Sequence, residues 1–246
     1  MNRYKIVIQY DGTNFSGFQS QKNQNGIQDK IEYSISKLNN GNKIKIYGAS
    51  RTDAGVHALG QVAHFDLDSK LPDRELLKAI NARLSKEIRI SQLNKIADNF
   101  HSRFDAISKE YHYLCSLTDN PLYLKDHFQV KNLDVDLLIE ASKIIEGQHD
   151  FLSFSKFSDK ENNLCKIFMS KWVFDDKKDE KISYIIHGDR FLHHMVRYLV
   201  GTMIAVSQNK ITIDDFKTLL NQPRKDTKIF KAPSNGLVLK EIFYEN

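Results

Sequence analysis

Hydrophobic and polar positions alternate through residues 4–10, with Ile6 and Ile8 on one face, and this predicts a strand at the start of the chain. Asp11-Gly12-Thr13-Asn14 is a turn signal that closes it. After Gly26 the period changes. Ile27, Ile31, Ile35 and Leu38 fall on one helical stripe, which Asn39-Asn40-Gly41 ends. Residues 43–47 and 61–67 read as strands. Pro72 and Asp73 begin a second helix with Leu76, Leu77, Ile80 and Leu84 inward, and residues 87–96 return to a strand. The order β-α-β-β-α-β predicts an antiparallel sheet with helices on one face, an arrangement that RNA-binding sheets share with many unrelated proteins.

The second half repeats the outline without repeating the sequence. Tyr111, Tyr113 and Cys115 share a face of a strand over residues 109–115. A helix over residues 134–146 carries Leu137, Leu138, Ala141, Ile144 and Ile145 on its apolar side and stops at Gly147. Strands at 167–174 and 182–187 flank a charged tip, residues 175–181. Residues 191–207 form the most apolar helix, apolar on nearly every face and so predicted to be buried on both sides. Arg197 stands out within it, because a guanidinium is rarely buried without an acid or hydrogen-bonding surroundings; the alternative is that it snorkels to the surface. His193 and His194 are expected on this helix, pointing to different faces. Thr212 and Asp215 have capping spacing for a short helix, and residues 236–244 close with a strand. The expected fold is α+β: two ferredoxin-like halves, residues 1–104 and 105–246, sharing one continuous, mainly antiparallel sheet.

Composition narrows the class. A chain of 246 residues with 41% hydrophobic and 27% charged residues has enough apolar material for one large core or two modest ones. A strand pattern begins almost at residue 1, so no signal or transit segment is expected, and the most apolar run is too short to span a bilayer. A cytoplasmic protein without membrane attachment is expected. The two cysteines, Cys115 and Cys165, lie far apart without a CxxC partner, which argues against a thiolate zinc site and a disulfide framework. His187, His193 and His194 lack a companion at metal-binding spacing, so no metal is expected. Neither GxxxxGK[ST] nor a post-strand GxGxxG occurs, and nucleotide-cofactor chemistry has no support. The balance of 36 basic to 31 acidic residues, a net +5, is a mild pointer to a polyanionic partner.

The densest chemistry lies in residues 48–58, Gly-Ala-Ser-Arg-Thr-Asp-Ala-Gly-Val-His-Ala, between two predicted strands. Arg51 and Asp53 flank one threonine, and small residues around them suit a backbone that something large approaches closely. An arginine within reach keeps an aspartate ionised, which suits a nucleophile or electrostatic stabiliser. An internal Arg-Asp ion pair that merely holds the loop is the alternative. Tyr111 can stack on a base or relay a proton, or serve only as a half-buried strand aromatic. His57 reads as a loop-packing histidine. The aromatic and amide-rich stretch 15–21 suits base edges or, more simply, a loop holding its own backbone. The residues by themselves lead to an RNA-compatible sheet with one arginine-flanked aspartate.

At Arg51-Thr52-Asp53-Ala54-Gly55-Val56-His57-Ala58 the chain resembles the tRNA pseudouridine synthase A family, and the resemblance runs nearly end to end. It includes Tyr10-Asp11-Gly12-Thr13, Gly17-Phe18-Gln19, Gly60-Gln61-Val62 with His64-Phe65, and Phe100-His101-Ser102-Arg103. It continues through Lys109-Glu110-Tyr111-His112-Tyr113, Asp150-Phe151 with Ser153-Phe154, Met195-Val196-Arg197, and Ala232-Pro233 with Gly236-Leu237. The resemblance implies a pseudouridine synthase fold with a central RNA-binding cleft. It implies isomerisation of uridine to pseudouridine in the anticodon stem-loop of tRNA, without cofactor or metal, by a homodimer. It also implies Asp53 as the catalytic aspartate, Tyr111 as the aromatic on the flipped uracil, Arg197 as the basic partner of Asp53, and Arg51 as an aid in displacing the uridine. Ser50 stands where the family usually has glycine, and Asn209 stands where a glycine is common; both are expected to be tolerated.

Overall fold

The computed structural model describes residues 1–22, 24–156, 162–174, 180–225, 227 and 229–245. The chain forms two compact units, Met1–Ile107 with Leu239–Asn246, and Ser108–Val238. The C-terminal residues thus belong to the first unit, whereas the expected division at 104/105 assigned them to the second half.

In the first unit, β1 (Asn2–Tyr10), α1 (Ile27–Leu38), β2 (Tyr47–Gly48), β3 (His57–Leu67), α2 (Asp73–Asn81) and β4 (Ile88–Ile96) follow the expected order. β1 lies between β3 and β4, antiparallel to both. Its even positions Tyr4, Ile6 and Ile8 are fully buried, as are Ile27, Ile31 and Ile35 of α1 and Leu76 and Ile80 of α2. The alternating and helical stripes therefore meet in one core, each large side chain worth about 1.5–3 kcal/mol of burial.

One expected strand is largely absent. Residues 43–47 shrink to the two-residue β2, although Ile44 and Ile46 are buried as the alternation requires. Their backbone is satisfied by α1 instead of by a neighbouring strand. Ile44 N donates to Ser36 Oγ, Ile46 N donates to Glu32 Oε1, and Ile46 O accepts from Gln28 Nε2. Helix side chains have replaced the ladder.

The second unit contains β5 (Ala106–Ser116, from Ser108 onward), β6 (Phe128–Gln129), α3 (Val135–Ile144), β7 (Gly147–Asp150), β8 (Leu164–Phe174), β9 (Lys181–Gly188), α4 (Met195–Ser207) and α5 (Ile213–Asn221). Its strand order is β5-β9-β8-β7, antiparallel throughout, with β6 parallel on β5. The last strand, β10 (Leu237–Tyr244), passes at Leu239 into the first unit, where it lies beside β3. Both units are thus mixed α+β with mostly antiparallel strands, the expected class. Residues 175–179 of the expected charged tip lie outside the described residues.

α4 is buried at Met195, Val196 and every position from Leu199 to Ser207, as its all-round apolar character requires. It starts four residues later than the pattern predicts. His193 and His194 precede it, and His194 is its N-cap in the left-handed conformation, φ 64°. The two rings are tilted against each other with centroids 4.1 Å apart, so they do not point to different helical faces. Gly201 permits a close approach. A Cβ there would lie 2.4 Å from Phe230 O, so the segment 230–233 can run against the helix. Asn209 adopts φ 55°, the left-handed conformation its side chain tolerates.

Candidate active site

Asp53 lies in the loop between β2 and β3, half-buried, with exposed Arg51 and buried Thr52 before it. Four contacts fix the backbone that carries it. Ala49 N donates to Val62 O at 2.8 Å, and this is the last ladder bond before the loop leaves the strand. Gln61, with no exposed surface, then acts in place of a strand. Its Oε1 accepts from Ser50 N at 3.2 Å and its Nε2 donates to Ser50 O at 2.8 Å. The hydroxyls of Tyr10 and Thr52 share a buried hydrogen bond of 2.7 Å. Phe18 N donates to Thr52 O at 3.1 Å, on the other side of the loop.

Two glycines allow the supporting segment to come this close. At Gly17, φ is 99° and a Cβ would stand 2.6 Å from Thr52 O and 3.2 Å from Asp53 C. At Gly12 a Cβ would stand 2.0 Å from Val56 O. Neither gap admits a side chain. Beyond Asp53 the chain turns tightly, Val56 N to Asp53 O at 3.2 Å with Gly55 at φ 77°. His57 opens β3, its Nδ1 3.2 Å from Gly12 N and 3.2 Å from Asp11 Oδ1, so it ties the Asp11-Gly12 turn to the loop. The packing role expected of His57 matches these contacts. The stretch 15–21 likewise uses its backbone to prop the loop, while Gln19 and Gln21 stay exposed.

Tyr111 and Arg197 belong to the second unit. Tyr111 lies on the same face of β5 as Tyr113 and Cys115; it is 7% exposed and meets Phe191 edge-on, ring centroids 5.2 Å apart. Arg197 is half-buried in the first turn of α4. Its Nε donates to Ala232 O at 2.9 Å, and its own carbonyl accepts from Ala232 N. A hydrogen-bonding surround of the kind a half-buried guanidinium needs is therefore present. Tyr113 hydroxyl donates to Pro233 O, and burial pushes its phenol well above the usual range. Burial also raises both thiols, Cys165 to about 12 and Cys115 further, so both behave as small hydrophobes.

Sequence reasoning singled out Asp53 and Arg51 but missed the groups that hold their loop, namely Gln61, Tyr10 and Gly17. One signal was available: Gln61 is an amide in a run of otherwise small and apolar strand residues, where an inward polar group needs local partners.

The tRNA pseudouridine synthase family matches residues 6–105 and 141–245. The tRNA pseudouridine synthase A of Phytoplasma mali is 42% identical over 242 residues, 98% of each chain. The protein of the same name from Streptococcus pyogenes serotype M49 is 36% identical over 250 residues, the full length of both. A solved Cbf5-Nop10-Gar1 complex aligns with 97% of this chain and 59% of that one at 10% identity and a TM-score of 0.40, too low to carry an argument.

Proposed function

The chain belongs to the tRNA pseudouridine synthase family, and from that premise we propose that it acts on uridines of the anticodon stem-loop with Asp53 as the catalytic carboxylate. The protein is an isomerase that converts uridine to pseudouridine in tRNA. In that reaction the N1–C1′ bond breaks, the uracil turns, C5 bonds to C1′, and the C5 proton is lost while N1 gains one. Atoms and electrons balance within the substrate, so the protein has to supply access, orientation and charge.

Access comes first, because C1′ and C5 are out of reach while the base is stacked, and unstacking costs a few kcal/mol. The observation that carries the reading is the construction of the Asp53 loop. A carboxylate is presented by a short backbone that is clasped on both sides and flanked by Ala54 and Gly55, which leave room for a nucleotide. From that position the carboxylate can add to an electron-poor carbon or stabilise positive charge developing at the sugar. Tyr111, Arg51 and Arg197 are the proposed substrate-binding residues. Tyr111 offers a flat apolar face with a polar tip, which holds a detached uracil, and Arg51 helps displace the uridine. The reading extends to a homodimer working in the cytoplasm.

Asp53→Asn is expected to abolish tritium release from tRNA labelled at uridine C5 while tRNA binding persists. Full activity in that variant sinks the assignment of Asp53. Nucleoside mapping of treated tRNA locates the modified uridines, and modification confined to other regions overturns the anticodon assignment.

A further inference from the structure

Phe100-His101-Ser102-Arg103 is part of the family resemblance but lies outside the loop that carries Asp53. The turn it starts holds two phenylalanines in opposite situations: Phe100 is 9% exposed, whereas Phe104 is 76% exposed. Phe100 is explained by packing, with Tyr244 at 5.3 Å and His64 at 6.1 Å. Phe104 is not.

A single exposed phenylalanine says little. Phe104, however, stands at one end of a continuous row. Its ring stacks on His101 at 4.3 Å, and His101 lies 5.9 Å from Tyr47, itself 42% exposed and stacked on buried His64 at 5.0 Å. A cation caps each end. Arg103 Cζ lies 5.9 Å from the centre of the Phe104 ring, and Lys45 Nζ lies 5.2 Å from that of Tyr47.

The row is also held in place. Arg3 Nη1 donates to Phe100 O, Ser102 N to His64 Nδ1, Ser102 Oγ to Tyr47 O, and Tyr244 hydroxyl to Ser102 O. His101 N donates to Asp105 Oδ2 at 2.7 Å, and His101 Nδ1 accepts from Arg103 N, which leaves Nε2 to carry the ring hydrogen. Burial pushes the His64 imidazole down to about 4, so the ring beneath Tyr47 stays neutral at physiological pH. A rigid aromatic surface loses little entropy when something binds to it.

We propose that Tyr47, His101 and Phe104, flanked by Lys45 and Arg103, form a second RNA contact on the first unit, on which an unpaired base of the tRNA stacks while the two cations take flanking phosphates. Stacking is available to every base, because each has a π-face, and the guanidinium adds both stacking and charge. A row of rings with a cation at each end suits a nucleotide, which brings a π-face and a phosphate together. This contact rests on the tRNA-modifying reading but is separate from the chemistry at Asp53.

The test measures binding of full-length unmodified tRNA to the intact protein and to Phe104→Ala, Phe104→Trp and Arg103→Gln, with the oligomeric state of each determined by light scattering. Removing one stacked ring is expected to weaken binding roughly tenfold in Phe104→Ala. Phe104→Trp is expected to restore it, and Arg103→Gln to lower the salt dependence by about one phosphate contact. Ultraviolet cross-linking of the unaltered protein is expected to attach a nucleotide to the peptide containing Phe104. Unchanged affinity in Phe104→Ala, or a shift from dimer to monomer with affinity falling only in step with it, overturns the proposal. Failure of the unaltered protein to bind or modify tRNA would instead contradict the functional reading itself.

Discussion

Gln61 shows how one side chain can decide where a reacting group sits. Its amide is buried and satisfies both the N–H and the C=O of Ser50, three residues before Asp53. Gln61→Ala removes both of these hydrogen bonds to the buried Ser50 backbone, at about 1–3 kcal/mol each. Without this clasp the Ser50 segment is expected to shift, and Asp53 with it. The expected result is a fall in kcat on the order of 10- to 100-fold with a much smaller change in KM, since a displacement near 1 Å costs that much in chemistry but little in binding. Steady-state kinetics on tRNA checks this, and an unchanged kcat shows that the clasp is dispensable.

At the scale of the element, local pattern and observed structure part where hydrogen bonds leave the element. α5 follows the pattern closely. Thr212 Oγ1 accepts from Asp215 N at 3.0 Å and Asp215 Oδ2 accepts from Thr212 N at 3.1 Å, the reciprocal box that the spacing implies. The Thr212 hydroxyl, which donates to Asp215 Oδ2 at 2.7 Å, and then the Thr212 N–H hold the Asp215 carboxyl below its usual range, so their contribution is present at neutral pH and fades as pH falls through the carboxylate range. Thr212→Ala is expected to lower Tm by about 2–4 °C without altering the rate on tRNA, as thermal melts and activity assays check. Residues 43–47 behave otherwise. Their alternation correctly marks Ile44 and Ile46 as buried, but Ser36 and Glu32 of α1 take the backbone N–H groups a strand partner would have used. For residues 191–194 the apolar run continues while the helix does not, because His194 enters the left-handed region.

For the whole molecule, 36 basic against 31 acidic residues is a small excess, and its consequence is testable. Affinity for tRNA is expected to fall steeply with salt, each neutralised phosphate adding about 0.9 to the log–log slope, and a flat salt response would show stacking to be dominant. Among the described residues, no helix is long and apolar enough to cross a membrane. The sequence by itself determined the α+β class, the order of the principal strands and helices, the buried faces of β1, α1 and α2, and the motif around Asp53. These follow from periodicity and local chemistry, which act over two to four residues. Tertiary structure alone decided that Leu239–Asn246 belongs with the first unit, that Gln61 and Tyr10 hold the Asp53 loop, and that Phe104 is exposed where Phe100 is buried. Tyr10 and Thr52 are 42 positions apart and His64 and Ser102 are 38 apart. Contacts across such separations leave no period in the chain, and each exists only once the packed core has brought its partners together.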